Sequence, residues 1–402
     1  MMFGDRKEIE ILLSCAQHWT NFEKTAGIRG ILANGVDWEY LLRMAGRHGL
    51  MPLLFHHLDS ICPEAVPGPI LGKLKNHFNA NLGYNRFLTG ELLGLLDLFE
   101  NHGIPAVPFK GPVLASSVYG DLSLREFSDL DILVYKRDAL KAKDLLLSQG
   151  YLPVFQLSPV QERAYIQSEC EYNFNHGRTG VHVEIHWQFL PSRLLAPLGL
   201  RDMWERLTRV CIFGKEVLTL SPGDLLLILC IHGYKHCWEA LGWICDVAGL
   251  IQIHRGIDWD LLTEEAHRFG SDRILFLGLY LTKNLLNTNL PDGVWQKIKS
   301  DTKVKALARE VSRHLFDDRD NSPGILGKSL FHIKSTSLWR NIVRYCFYFS
   351  IPPTSEDYKI LELPSSLFFL YFLIRPFRLL GKYSIGRLIN SFPAPTTSIS
   401  KE

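Results

Sequence analysis

The run FSDLDILVY, residues 127–135, constrains this chain more than any other stretch. Leu130, Ile132, Leu133 and Val134 have the character of a buried strand, yet Asp129 and Asp131 stand among them two residues apart. Side chains on a strand alternate between faces, so carboxylates at i and i+2 project side by side from one face. Like charges at that spacing repel and raise each other's proton affinity. A fold that contains this strand must leave that face open at the aspartate end. The opening is either to water, as a solvated strand end, or to a divalent cation that bridges the pair and reverses the electrostatic cost. On the second reading, Asp131→Asn relieves repulsion and leaves the fold as stable as before or more so.

The neighbouring segments favour the cation. Upstream, IPAVPF reads as a short strand ending in a turn at Lys110 and Gly111, and Pro112 stands where a helix begins. Proline suits that position because the first helical N–H has no intrahelical partner. Such a helix start directs free amides and the positive dipole end at the turn. Gly111 allows close backbone approach and Lys110 adds charge, which makes a candidate phosphate seat; a plain strand-to-helix turn has the same sequence. Downstream, VHVEIHWQ alternates so that His182, Glu184 and His186 share one face and Val183 and Ile185 the other. Glu184 is a candidate third carboxylate; the His-x-Glu-x-His pattern also suits a zinc site or the wet face of an edge strand. In order, the chain offers a turn suited to phosphate, a helix, paired aspartates and a third acid. That arrangement can hold two Mg²⁺ (or Mn²⁺) ions about 3.5–4 Å apart, the chemistry of nucleotidyl transfer.

Periodicity divides the 402 residues into four stretches. Residues 1–78 read as helical, in KEIEILLSCA and in DWEYLLRMAGRHGLMPLLFHHL, with Asp37 as N-cap of the latter. Residues 79–195 read as a small mixed α/β unit: helices in FLTGELLGLLDLFENHG, PVLASSVYG and RDALKAKDLLLSQGY, and further strands in CEYNFNHG and GVHVEIHWQF. Residues 196–300 begin with a hairpin, RVCIFGKEVLTL, turning at Gly214, and continue as helices; 301–402 form a helical extension whose last ten residues look frayed. The fold class expected is α/β (α+β). The helical run LLLILCIHGYKHCWEALGWICDVAGLIQIH carries His232 and His236 one turn apart, then Asp246. Two histidines at that spacing can bind zinc. The reading preferred here packs this helix on the α/β unit, so that His186, His232, His236 and Asp246 are candidates for an acceptor pocket.

Residues 109–134, FKGPVLASSVYGDLSLREFSDLDILV, resemble the core of the nucleotidyltransferases of the DNA polymerase beta superfamily. More narrowly they resemble a little-characterised bacterial nucleotidyltransferase family with a Lys-Gly turn, a Tyr-x-Asp segment, an Arg and then Asp-x-Asp. The resemblance extends to VHVEIHW and HGYKHCWEALGWICDVAGL, and more faintly to DWEYLLRMAGRHGLMPLL and FLYFLIRPFRLLGKY. It implies a minimal polymerase-beta-like core, a small mixed sheet with helices, between helical regions. It also implies Asp129, Asp131 and Glu184 as metal ligands and catalytic acids, with Lys110 and Gly111 near the phosphates. The wider superfamily has Gly-Gly or Gly-Ser at that turn, where this chain has Lys-Gly-Pro. Arg125, four residues before Asp129, is a candidate to touch triphosphate or to orient Asp129, with a surface ion pair as the plain alternative. The implied reaction moves a nucleoside monophosphate from an NTP such as ATP to a hydroxyl or other nucleophile, releasing pyrophosphate. A non-catalytic nucleotide-binding scaffold and an Asp-x-Asp glycosyltransferase are the alternatives.

Composition narrows the partners. A net charge of +2 supplies no field for a polyanion, so an NTP and a small-molecule or protein acceptor are expected rather than nucleic acid. The eight cysteines include no Cys-x-x-Cys pair and read as reduced, mostly buried thiols. The start, MMFGDRKEIEILLSCAQHW, sets acids among bases with no long apolar core, so a cytoplasmic protein is expected. The apolar stretch 367–383 is broken by Arg375, Pro376 and Arg378, short of the ~20 residues of a membrane span. It reads as a buried or partner-facing helix, with a peripheral membrane anchor as the alternative.

Overall fold

A computed structural model of the chain describes residues 6–17, 22–191, 194, 200–317, 325–335, 343, 346, 347, 357 and 363–379. Its centre is a mixed sheet of β1 (Ala106–Pro108), β2 (Asp129–Val134), β3 (Tyr151–Pro153), β4 (Glu171–His176) and β5 (His182–His186). The spatial order is β1-β2-β5-β4-β3, with β2 and β5 parallel and the other pairs antiparallel. The period-2 pattern does what the sequence demands of it. Leu130, Ile132 and Val134 are fully buried in one apolar layer with Leu88, Leu92 and Phe99 of the helix Gly68–Asn101 and Leu146 of the helix Ala139–Ser148. Leu133, on the opposite face, joins a second and larger core. Asp129 and Asp131 therefore lie on the face of β2 that meets the helical half of the protein.

That second core is built from both ends of the chain. The helices Lys7–Cys15, Trp38–Arg47 and Met51–Ile61 bury apolar residues in the same cluster as the helices Pro222–Lys235, Leu241–Ile253, Asp272–Leu286 and Thr302–Leu315. His48 ties three of these segments: its Nε2 lies 3.0 Å from the Leu315 carbonyl, and the Leu241 amide donates to its Nδ1 at 3.2 Å. The helix Gly68–Asn101 is 34 residues long and runs unbroken across the expected boundary at 78/79. A hairpin of β6 (Thr208–Ile212) and β7 (Lys215–Thr219) turns at Gly214, as the sequence led us to expect, with Phe213 before it also at positive φ. Thr219 Oγ1 donates to the Pro108 carbonyl at 2.8 Å, fixing the hairpin against β1.

Several local expectations change. DWEYLLRMAGRHGLMPLLFHHL is two helices rather than one, because Gly49 adopts φ +68 between them; Asp37 caps the first by accepting from the Tyr40 amide at 3.0 Å. The long run after Ser221 also breaks, at Cys237 and Trp238, both left-handed. Trp238 is completely buried, its ring pressed on Gly233 so closely that a Cβ there would come within 2.5 Å. The expected helix RDALKAKDLLLSQGY ends at Ser148 and its Tyr151 opens β3, while the helix Pro159–Ser168, which starts with a Ser158–Gln161 capping box, falls where no element was expected. Six of the eight cysteines are buried and all are free thiols. No described helix is long and apolar enough to cross a membrane. Arg375 and Arg378 both bond to Asp357, at 2.7 and 2.6 Å, so these two bases are spent inside the protein. Residues 380–383 of the apolar-basic stretch and the last ten residues lie outside the described set.

Candidate active site

Parallel pairing of β2 with β5 sets Asp131 opposite Glu184 and Asp129 opposite His182. Antiparallel pairing of β4 with β5 then brings Glu171 opposite His186. Two acids distant in sequence thus meet on one face because each strand alternates and the register locks them. His186 is the tie between them: its Nε2 lies 3.0 Å from Asp131 Oδ1 and 3.2 Å from Glu184 Oε2, and its Nδ1 lies 3.5 Å from Glu171 Oε2. His182 Nε2 stands 3.5 Å from Glu184 Oε1.

The cation that the paired aspartates call for is present, and it comes from the chain. Lys110 Nζ lies 2.6 Å from Asp131 Oδ1, with the two side chains 8% and 1% exposed. It is also 3.4 Å from His232 Nδ1. Behind it, Lys235 Nζ pairs with Glu171 at 2.7 Å. Burial alone would raise the Asp131 carboxyl, but Lys110 and the hydrogen bond from His186 outweigh it and hold Asp131 below the usual range. Burial likewise opposes charge on His186, yet Asp131, Glu184 and Glu171 raise its pKa to about 9. Glu184 is held well below the carboxylate range because hydrogen bonds from His182 and His186 overcome its burial. The expectation that neutralising Asp131 would relieve repulsion is therefore reversed: Asp131 is a paired, buried charge.

Two features of the cluster are unfilled. Asp131 Oδ2 is buried without a hydrogen-bond partner. Asp129 makes no hydrogen bond or ion pair among the described residues, and burial together with Asp131 pushes its carboxyl upward. Both acids line a cavity of about 360 Å³ whose other walls include Glu184, Lys235, His232, His236 and Trp243. One oxygen or nitrogen each of Asp131, Glu184 and His186 lie within 4.8 Å of one another, the only such set of three among the described residues. The carboxylates of Asp131 and Glu184, with an orphaned oxygen on the first, suit a divalent ion, whereas His186, its pKa raised to about 9, is protonated and has no lone pair to offer.

The remaining sequence candidates separate. Gly111 has φ +49, and a Cβ there would sit 3.2 Å from the Asp129 carbonyl oxygen, so close packing against β2 already explains the glycine. The Val113 amide donates to the Lys110 carbonyl at 3.0 Å, leaving that part of the expected phosphate seat occupied. Arg125 is no surface ion pair: Nε and Nη2 donate to the two carboxylate oxygens of Asp246 at 2.8 and 2.9 Å, while Nη1 is buried with no partner. Asp246 also accepts from the Tyr119 hydroxyl at 2.8 Å and lines a smaller neighbouring cavity, not the one that holds the acids. His186 sits beneath the cavity floor, whereas His232 and His236 line its wall with ring centroids 4.7 Å apart. Burial and the lysines beside them keep both neutral, His236 with a pKa lowered to about 4 and His232 well below its usual value. No third ligand completes a zinc site there among the described residues.

Glu171 and Lys235 escaped the sequence reading, and Tyr119 entered it only as part of the Tyr-x-Asp segment, with no role assigned. Lys235 lies between the two histidines already singled out, and that spacing was the available signal. Glu171 becomes visible only once the β4–β5 register is known.

No curated protein matches the chain. Among solved structures, a lincosamide antibiotic adenylyltransferase, LnuA, in its lincomycin-bound form is 19% identical, over 41% of this chain and 97% of its own, with a TM-score of 0.30. An antigenic nucleotidyltransferase-like protein from Paracoccidioides brasiliensis is 14% identical, over 52% of this chain and 96% of its own, with a TM-score of 0.31. The profile of a family described as uncharacterised nucleotidyltransferase matches residues 34–287, which is more than half of the 402 residues and spans the whole sheet, the acid cluster and the helices that cover it. The chain belongs to this family of nucleotidyltransferases.

Proposed function

We propose that this protein transfers a nucleoside monophosphate from an NTP to a hydroxyl or other nucleophile on a small-molecule or protein acceptor. The observation that carries this reading is the acid cluster at the cavity floor, with Asp129 unpartnered and Asp131 Oδ2 orphaned beside a fixed Glu184. Asp129, Asp131 and Glu184 would hold the divalent ion, Mg²⁺ or Mn²⁺. Such an ion supplies charge neutralisation for the triphosphate and lowers the pKa of an attacking hydroxyl.

The protein's own groups do the rest. Lys110, Lys235 and Arg125 are the bases on a wall that also carries five carboxylates, so the polyphosphate would enter together with the divalent ion that offsets those acids. Arg125 Nη1, the free donor on a guanidinium fixed by Asp246, is suited to a phosphate oxygen. The turn at Gly111 contributes architecture. Glu184 is suited to holding an ion rather than accepting a proton, since a histidine nitrogen lies within 3.5 Å of each of its oxygens and its proton affinity is depressed. His232 and His236, neutral on the cavity wall beside Lys110 and Lys235, can accept a hydrogen bond from the acceptor. The acceptor hydroxyl gives up its proton to solvent, its oxygen bonds to the α-phosphorus, the bond from that phosphorus to the α,β-bridging oxygen breaks, and pyrophosphate leaves. A glycosyltransferase is disfavoured because only the three-residue β1 precedes the motif in the sheet.

The test incubates the protein with each of the four NTPs, labelled at the α-phosphate, with Mg²⁺ and a cell lysate as acceptor source. Label transferred to an acceptor with matching pyrophosphate release supports the reading. Binding without transfer would identify a nucleotide-binding scaffold, and turnover of nucleotide sugars alone would identify a glycosyltransferase.

A further inference from the structure

The long helix Gly68–Asn101 carries a second concavity, outside the acid cluster. His77, Asn81 and Tyr84 fall at four- and three-residue spacing on one face of that helix and, with Glu126, Phe127 and Ser128, line a groove of about 410 Å³. Glu126, Phe127 and Ser128 also line the acid cavity, so the two spaces meet across this strip, immediately before Asp129. The groove differs in chemistry from the cavity. Its helix wall has no lysine or arginine, its exposed aromatic ring is Tyr84, at 42%, with Phe127 buried on the other side, and its polar edge is His77 bonded to Glu126 at 2.8 Å.

The strip itself is rigid. Asn81 Nδ2 donates to the Ser123 and Arg125 carbonyls at 3.0 and 3.3 Å, and Asn85 Nδ2 to the Leu122 and Arg125 carbonyls at 2.6 and 2.8 Å. The helix that bears Tyr84 is thereby clamped to the segment that delivers Arg125 and Asp129. An exposed aromatic ring held at a fixed distance from a polyphosphate cavity is a stacking platform for a planar base.

We propose that this groove is the nucleobase subsite: Tyr84 stacks on the base of the NTP whose phosphates lie at the acid cluster, and the His77–Glu126 pair faces the polar edge of the base. The inference rests on the nucleotidyl-transfer reading and adds the residues that would hold the nucleoside.

The experiment is calorimetric titration of the full chain, with Mg²⁺ present, by ATP, GTP, CTP and UTP and by inorganic tripolyphosphate. Tyr84→Ala is expected to weaken binding of the preferred NTP about fivefold, the low end of base stacking on an aromatic side chain, and to leave tripolyphosphate unchanged. Tyr84→Phe, which retains the ring, should restore wild-type affinity. Unchanged NTP affinity in Tyr84→Ala, or equal weakening of NTP and tripolyphosphate, would overturn the subsite while leaving the nucleotidyl-transfer reading standing. Failure of the wild type to bind any NTP would remove that reading itself, and the subsite with it.

Discussion

Asp131→Asn separates a paired buried charge from a repelled one. The substitution keeps shape and removes the negative charge that faces Lys110 at 2.6 Å and His186 at 3.0 Å. Lys110 and Asp131 are both shielded from water, so the stranded ammonium cannot recover its hydration in place. Breaking a buried pair from one side costs about 3–5 kcal/mol. Taking the lower figure, and about 2–4 °C per kcal/mol for a cooperative unit of 150–250 residues, the melting temperature should fall by about 6–12 °C. The assay is a circular dichroism melt in EDTA, which removes any bound ion from the comparison. Lys110→Met should destabilise for the mirror reason. The double variant should recover much of the loss, because neither charge is then left alone. A single variant melting at or above the wild-type temperature, or a double variant whose loss equals the sum of the singles, would refute the pairing argument.

Two further outcomes follow from the same geometry. Gly111→Ala should destabilise by about 1–2 kcal/mol, since the residue is left-handed and its Cβ would press on the Asp129 carbonyl oxygen at 3.2 Å; a wild-type urea midpoint would contradict the packing account. His48 is neutral in the fold, with a pKa lowered to about 4 by burial and Arg47. Its Nδ1 accepts from the Leu241 amide, so a proton there has no place. As pH falls below about 6.5 the unfolded chain takes up this proton while the folded protein resists until about 4, so stability is lost across that window, by about 3 kcal/mol. Urea midpoints across pH should show a steeper loss in wild type than in His48→Gln, and parallel profiles would contradict the assignment.

The parts of the site legible in the sequence are those governed by local periodicity. Asp129 and Asp131 share a face, as do Glu184 and His186, because strands alternate, and Pro112 opens a helix because it can. Which of these groups touch is a matter of register, and register belongs to the whole sheet. The ammonium that neutralises Asp131 is the same Lys110 that sequence reasoning aimed at phosphate, since nothing local reveals where a four-carbon stem will point. Arg125 was read as a candidate for the triphosphate or for orienting Asp129, or else as a surface ion pair, because its buried partner, Asp246, lies 121 residues further on. The division into helical ends and a central unit missed their common core for the same reason: His48 meets Leu241 and Leu315 only in three dimensions. The breaks at Gly49 and Trp238 were hidden by apolar periodicity that continues through both.

The central claim, that the acid cluster holds the ion and nucleotide for NMP transfer, is tested most directly at Asp129. This acid has no protein partner among the described residues, so Asp129→Asn should melt at or slightly above the wild-type temperature, in contrast to Asp131→Asn. Pyrophosphate release from an NTP in the presence of Mg²⁺, measured on that folded variant beside the wild type, should be abolished. Wild-type pyrophosphate release by Asp129→Asn would show that the cluster is not where the reaction occurs.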